Sequence, residues 1–195
     1  VRAVRHVQKE LGNYFNNNKV LFLSGMRNYE IAVALSDYTK NLSFADPVFQ
    51  TGSPLLLSSL AQLEMYARGT ELVAGQMPFR LLEKSLGALK NMRVANAMAK
   101  AHLIVGTFGE IKAIGTVANL EGKTIITSAV HDDQLAFYKQ CKVNLVIDVS
   151  PNLFGRVVGV ATLEAMILAH LGRNANELAD DEFEEIITEL NITPK

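Results

Sequence analysis

Along this chain, short unbroken apolar runs alternate with longer stretches in which apolar residues return every three or four positions. Residues 19–24, 101–106, 124–128 and 144–149 are runs of the first kind, rich in Val, Ile, Leu, Phe and Thr. Such runs predict strands buried on both faces. Residues 42–46 form a weaker strand candidate that Pro47 ends. The second pattern predicts helices. Val1, Val4, Val7 and Leu11 carry one. Ile31, Ala32, Leu35 and Tyr38 carry another, with Asn28 placed to cap it. A third is expected over 53–67, with Ser53 as cap, Pro54 in the first turn, and Leu56, Leu57, Leu60, Leu63 and Met65 on its apolar side. Residues 69–78 read as irregular, and 79–99 as one or two helices.

Further helices are expected over 132–140 and 159–171, the latter burying Leu163, Met166, Ile167 and Leu171 and ending at Gly172. An acidic tail follows, in which Phe183, Ile186, Ile187 and Leu190 repeat at helical spacing. Buried strands joined by helices predict an α/β chain: a three-layer Rossmann-like fold with a mostly parallel sheet of about five strands. Residues 1–172 would form that domain. Residues 173–195 would be an acidic helix packed on it or extending from it.

Composition narrows the function classes. With 195 residues, 49% apolar and 20% charged, the chain is long enough for one domain with a real core and is not of disordered composition. Nineteen basic residues against twenty acidic ones give no bulk basic field, so no nucleic-acid partner is expected. No apolar run approaches a membrane span, so no membrane partner is expected either. The single cysteine, Cys141, excludes an internal disulfide and suggests a reducing, cytoplasmic setting. The amphipathic start is not a secretory leader and reads as the continuation of a longer protein.

In parallel sheets ligands gather at the carboxyl ends of the strands, where helix starts also offer unpaired N–H groups. That rule selects Ser24, Gly25, Arg27 and Asn28 after the first strand, Asp46 after the second, Gly106, Thr107, Gly109 and Glu110 after the third, and Ser128 after the fourth. The G-x-G-x-x-G fingerprint is missing, since only Gly25 stands in the first loop. Arg27 would supply phosphate-binding donors in its place, or is an ordinary exposed arginine. Asp46 stands where a ribose-binding carboxylate would, or is a turn residue before Pro47. Glu110 is a candidate base or hydroxyl ligand, with a solvated acid as the alternative. His131, beside Asp132 and Asp133, is a candidate proton acceptor, although the two acids also suit a helix start. Arg156, between Gly155 and Gly159, is a candidate clamp for a substrate carboxylate or phosphate, or a surface arginine. No metal-ligand spacing, G-x-S-x-G elbow or P-loop is present, so no metal site is expected.

The run Ala101-His102-Leu103-Ile104-Val105-Gly106, then Leu120-Glu121-Gly122-Lys123-Thr124-Ile125-Ile126-Thr127, then residues 151–159 and Leu163-Glu164-Ala165, resembles the prokaryotic family labelled quinate 5-dehydrogenase. Residues 19–28 also fit, and the likeness covers roughly 11–172. Members of that family carry a further N-terminal region, which agrees with the truncated-looking start. The resemblance implies a Rossmann-like domain that binds NAD or NADP, and an oxidoreductase acting on a small hydroxylated carboxylic acid of the quinate or shikimate kind. The glycine-rich dinucleotide turn and the Lys–Asp pair of true quinate and shikimate dehydrogenases are not found in this sequence. On this expectation His131 or Glu110 would accept the proton. The other reading is a non-catalytic Rossmann-like ligand-binding or assembly domain, possible as a homo-oligomer. A transferase using another nucleotide-containing ligand is a third.

Overall fold

The computed structural model describes residues 2–73, 87–150, 152–153, 156–157 and 160–172, together with Asn174 and Ile186. Its centre is a sheet of five parallel strands: β1 (Val20–Phe22), β2 (Leu42–Phe44), β3 (Leu103–Val105), β4 (Thr124–Thr127) and β5 (Leu145–Asp148). Their order is β2-β1-β3-β4-β5, so the chain steps outward from β1 to β2 and then crosses to β3 on the other side. The expected α/β, three-layer, Rossmann-like class is what the chain adopts.

Alternation along each strand divides the core. Val20, Phe22, Leu42, Phe44, Leu103, Val105, Ile126 and Ile147 face one layer with α1 (Arg2–Glu10) and α2 (Tyr29–Ser36). Leu21, Ile104 and Ile125 face the other, formed by α5 (Gly87–Lys100), α6 (Phe108–Ile114), α7 (Val117–Leu120) and α8 (Asp132–Gln140). The Phe22 and Phe44 rings stack across the β1–β2 pair at 4.9 Å. Period-two burial on both faces is why these strands read as unbroken apolar runs.

Several elements depart from the pattern. The helix expected over 53–67 begins only at Leu60, as α4 (Leu60–Val73). Leu57 is instead extended, and its N–H and C=O bond the C=O and N–H of Phe44 at 3.0 and 2.8 Å. The open edge of β2 offers that backbone pair, and Ser59, whose Oγ accepts the Gln62 N–H at 3.2 Å, supplies the later helix start. The shift changes the buried stripe: Leu63 is buried while Met65 is 71% exposed. Leu56 lies before the helix rather than on it. The helix also runs through Gly69, inside the span expected to be irregular.

Asp46 and Pro47 do not merely end β2; they open α3 (Asp46–Thr51), where proline's missing N–H has no helical partner to lose. In α9 (Val160–Leu171), Leu163 and Ile167 are buried, but Met166 and Leu171 are exposed, one off the i, i+4 stripe and one at the last residue. Gly172, at φ +64°, ends α9 as expected. The short hairpin β6 (Asn152–Leu153) and β7 (Arg156–Val157) had no sequence expectation. Most of residues 74–86 and 173–195, including the acidic tail, lie outside the described residues.

Candidate functional site

With β1 between β2 and β3, the order of successive strands reverses at β1, and the crevice of such a fold opens between the loops after β1 and β3. The structure brings Ser24, Gly25, Asn28, Asp46, Gly106, Thr107 and Glu110 together there. Their bonds run to one another.

Asp46 takes two amides of the first loop. Its Oδ2 accepts the Gly25 N–H at 2.7 Å and its Oδ1 accepts the Met26 N–H at 2.9 Å. Asp46 is only 1% exposed, and burial pushes its carboxyl above the usual range although the two amide bonds pull the other way; the Glu110 charge adds a smaller upward push. Gly25 is glycine for packing. A Cβ there would collide with the Phe44 ring and stand 2.9 Å from Asp46 Oδ2.

Glu110 is equally committed. Residues 107–110, expected as a loop, begin α6 through a capping box: Glu110 Oε2 accepts the Thr107 N–H at 2.8 Å and Thr107 Oγ1 accepts the Glu110 N–H at 3.3 Å. The other carboxylate oxygen, Oε1, accepts the hydroxyl of Ser24 across the crevice. Space beside Gly106 is also filled, since a Cβ there would stand 3.1 Å from Leu23 and 3.2 Å from Glu110 Oε2. Asn28 occupies the N-cap of α2 without capping it; its Nδ2 donates to the Ser24 carbonyl at 2.8 Å.

The remaining candidates stay apart from this cluster. Arg27 and Gly109 are exposed. Ser128 and His131 are exposed in the loop after β4, where the His131 N–H donates to Gln134 Oε1 at 3.4 Å at the start of α8. Among the described residues the His131 ring bonds neither Asp132 nor Asp133. Arg156 falls in β7, and its side chain lies outside the described residues, as do Gly155 and Gly159.

Sequence reasoning missed Asp148; Ser150 opens the 150–159 loop that carries the Arg156 candidate. Asp148, ending β5, accepts the Val130 N–H at 2.9 Å and the Ser150 N–H at 2.8 Å, and Ser150 Oγ accepts the Ala129 N–H at 2.7 Å. These bonds hold Ala129 at φ +55°, a conformation uncommon outside glycine. An acid at a strand end, as at Asp46, was the available signal.

The carboxyl edge therefore presents Asp46, Glu110 and Asp148, each accepting backbone amides. A phosphate approaching the Gly25 loop would have to displace a buried carboxylate, and a dinucleotide does not fit these residues as they stand. Among the described residues no group of three metal-ligating side chains occurs, and no helix is long and apolar enough to cross a membrane.

A family model described as "Domain of unknown function (DUF8754)" matches residues 1–195. No curated protein and no solved structure matches the chain.

Proposed function

The chain belongs to the DUF8754 family, and we propose that it is a non-catalytic ligand-binding domain on a Rossmann-like frame, whose carboxyl edge is a structural clasp. One observation carries this reading: the buried Asp46 carboxylate accepts the Gly25 and Met26 amides that a pyrophosphate would need. Those donors already have their acceptor, and a phosphate there would have to displace it. Glu110, the other candidate acid–base group, is held by Thr107 and Ser24 and serves the start of α6.

Hydrogen–deuterium exchange in the presence of millimolar NAD, NADH, NADP or NADPH tests the reading. Amides 24–28 and 106–110 should exchange as they do without the dinucleotide. Saturable protection of those amides, or nicotinamide-dependent oxidation of quinate or shikimate, would overturn it in favour of the dehydrogenase expectation.

A further inference from the structure

At the amino ends of the same strands the surface has the opposite character. The starts of β1 and β2, the segment around Leu56 and Ser58, and the last turns of α5 enclose a groove of about 690 Å³. Four cations line it: Lys19, Lys40, Arg93 and Lys100. All four are exposed, and no carboxylate is among the described residues lining it. Among the described residues the one ion pair is Lys142–Glu121, so none of the four cations is paired with a described acid. Lys40 Nζ donates to the Ser36 carbonyl at 2.9 Å and Arg93 Nη1 to the Pro54 carbonyl at 3.4 Å, and each keeps further donors free.

From this juxtaposition we propose that the groove binds a phosphorylated small molecule of nucleotide size, an assignment that rests on the ligand-binding reading above. Charge sets the anion: four cations within one concavity focus a positive potential even though the chain as a whole is neutral to within one charge. The phosphates meet Lys19, Lys100 and Arg93, whose planar donor fork suits a phosphate oxygen pair. Volume sets the size, since small-molecule sites run to about 300–1,000 Å³. The rest of the wall sets the remainder of the ligand. Asn41, Asn96 and Ser43 offer both donors and acceptors, Ser58, whose hydroxyl donates to Gln62 Oε1 at 3.2 Å, offers an acceptor, and Leu56 and Met92 offer apolar surface to a flat, partly apolar group such as a base. Lys123 donates to the Ala99 carbonyl at 2.8 Å, so one carbonyl at the end of α5 is already satisfied and repels an incoming anion less.

Calorimetry on the full chain at 0.15 M salt, with ATP, inorganic pyrophosphate and adenosine as probes, decides it. ATP should bind saturably, pyrophosphate more weakly, and adenosine least. Lys19→Ala combined with Lys100→Ala should weaken ATP about tenfold or more. The control Lys139→Ala, on α8 and outside the groove, should leave ATP binding unchanged, and both variants should melt with the wild type. Absence of saturable binding by ATP and pyrophosphate at millimolar concentration overturns the proposal, as does an equal loss in Lys139→Ala. A single-stranded oligonucleotide that binds more tightly than ATP and is released by the same double variant overturns it in favour of a nucleic-acid surface. Exchange protection separates the two readings: ATP should protect amides around 19–21 and 41–43. Protection at 24–28 instead defeats the clasp reading, whereas no protection anywhere defeats this proposal alone.

Discussion

Asp46 and Asp148 stand at the carboxyl ends of the two edge strands, and each gives its carboxylate to two backbone amides. Asp46 follows β2 and takes Gly25 and Met26 from the loop after neighbouring β1. Asp148 ends β5 and takes Val130 from the loop after neighbouring β4, together with Ser150 from its own. Both are buried. Each edge strand thus tethers the loop of the strand beside it, and the edge where other folds of this class recruit ligands is closed by internal bonds.

Removing such a tether leaves donors without acceptors. Asp46→Ala strands the Gly25 and Met26 amides and should cost about 2–4 kcal/mol. Asp46→Asn keeps one acceptor oxygen and should cost less. Urea denaturation of both variants measures the order, and equal stability of Asp46→Ala and wild type would remove the clasp.

The same carboxyl makes a pH signature. Burial raises the Asp46 pKa in the folded protein above its unfolded value, so the native state holds this proton more tightly. Its contribution to stability is therefore fully present below the unfolded carboxylate pKa and is lost as pH rises through the folded one. Asp46→Asn has no such proton. The stability difference, wild type minus Asp46→Asn, should fall from pH 3.5 upward and level off above the folded pKa; a rising difference contradicts the burial argument.

Across the crevice, Ser24 and Glu110 should be energetically coupled. Ser24→Ala, Glu110→Ala and the double variant form a cycle, with an expected coupling of about 0.5–2 kcal/mol. Thr107→Ala should independently cost about 1 kcal/mol as the lost N-cap of α6. Strict additivity of the Ser24 and Glu110 changes would show that the bond between them does not contribute to stability.

The sheet was legible because strands buried on both faces leave unbroken apolar runs, and Val20 to Leu23 or Leu103 to Val105 admit little else. The helix starts were less legible. Ser53-Pro54 resembles a cap as well as Ser59 does, and only the open edge of β2, invisible in a linear chain, decides that Leu57 pairs with Phe44. At 107–110 the cue was present: Thr107 and Glu110 have capping-box spacing, but the flanking glycines drew the reading toward a ligand loop. The site residues were named from strand-end position, which located their clustering but not that their partners would be one another. The basic groove has no local signature at all, because Lys19, Lys40, Arg93 and Lys100 meet only through the topology.

The glycines allow a direct comparison. Gly25→Ala would drive a methyl into the Phe44 ring and the Asp46 carboxylate, both buried, and should cost about 1–3 kcal/mol. Gly109 lies inside α6 with open space where a Cβ would be, so Gly109→Ala should stabilise by roughly 0.5–1 kcal/mol through helix propensity. Thermal and urea denaturation of the pair read the signs. A stable Gly25→Ala protein would return Gly25 to the role of a ligand-approach residue.

The last expectation concerns a buried phenol. Tyr138 lies on α8 and is 1% exposed, and neither its hydroxyl nor that of Thr127 has a well-formed hydrogen bond. Burial pushes the Tyr138 pKa up to about 12, with the nearby Thr127 hydroxyl offsetting only part. The unfolded chain ionises this phenol near pH 10, so folding stability that depends on a neutral Tyr138 is lost as pH rises from there toward the folded value. Tyr138→Phe removes a hydroxyl without a partner and keeps the ring against Phe108 and Phe137, at 5.7 Å each. It should be as stable as the wild type or more so at pH 7, and should lose less stability between pH 10 and 12. Ultraviolet titration should show one tyrosine fewer ionising late. A variant clearly weaker at neutral pH would mean that the hydroxyl has a partner in solution.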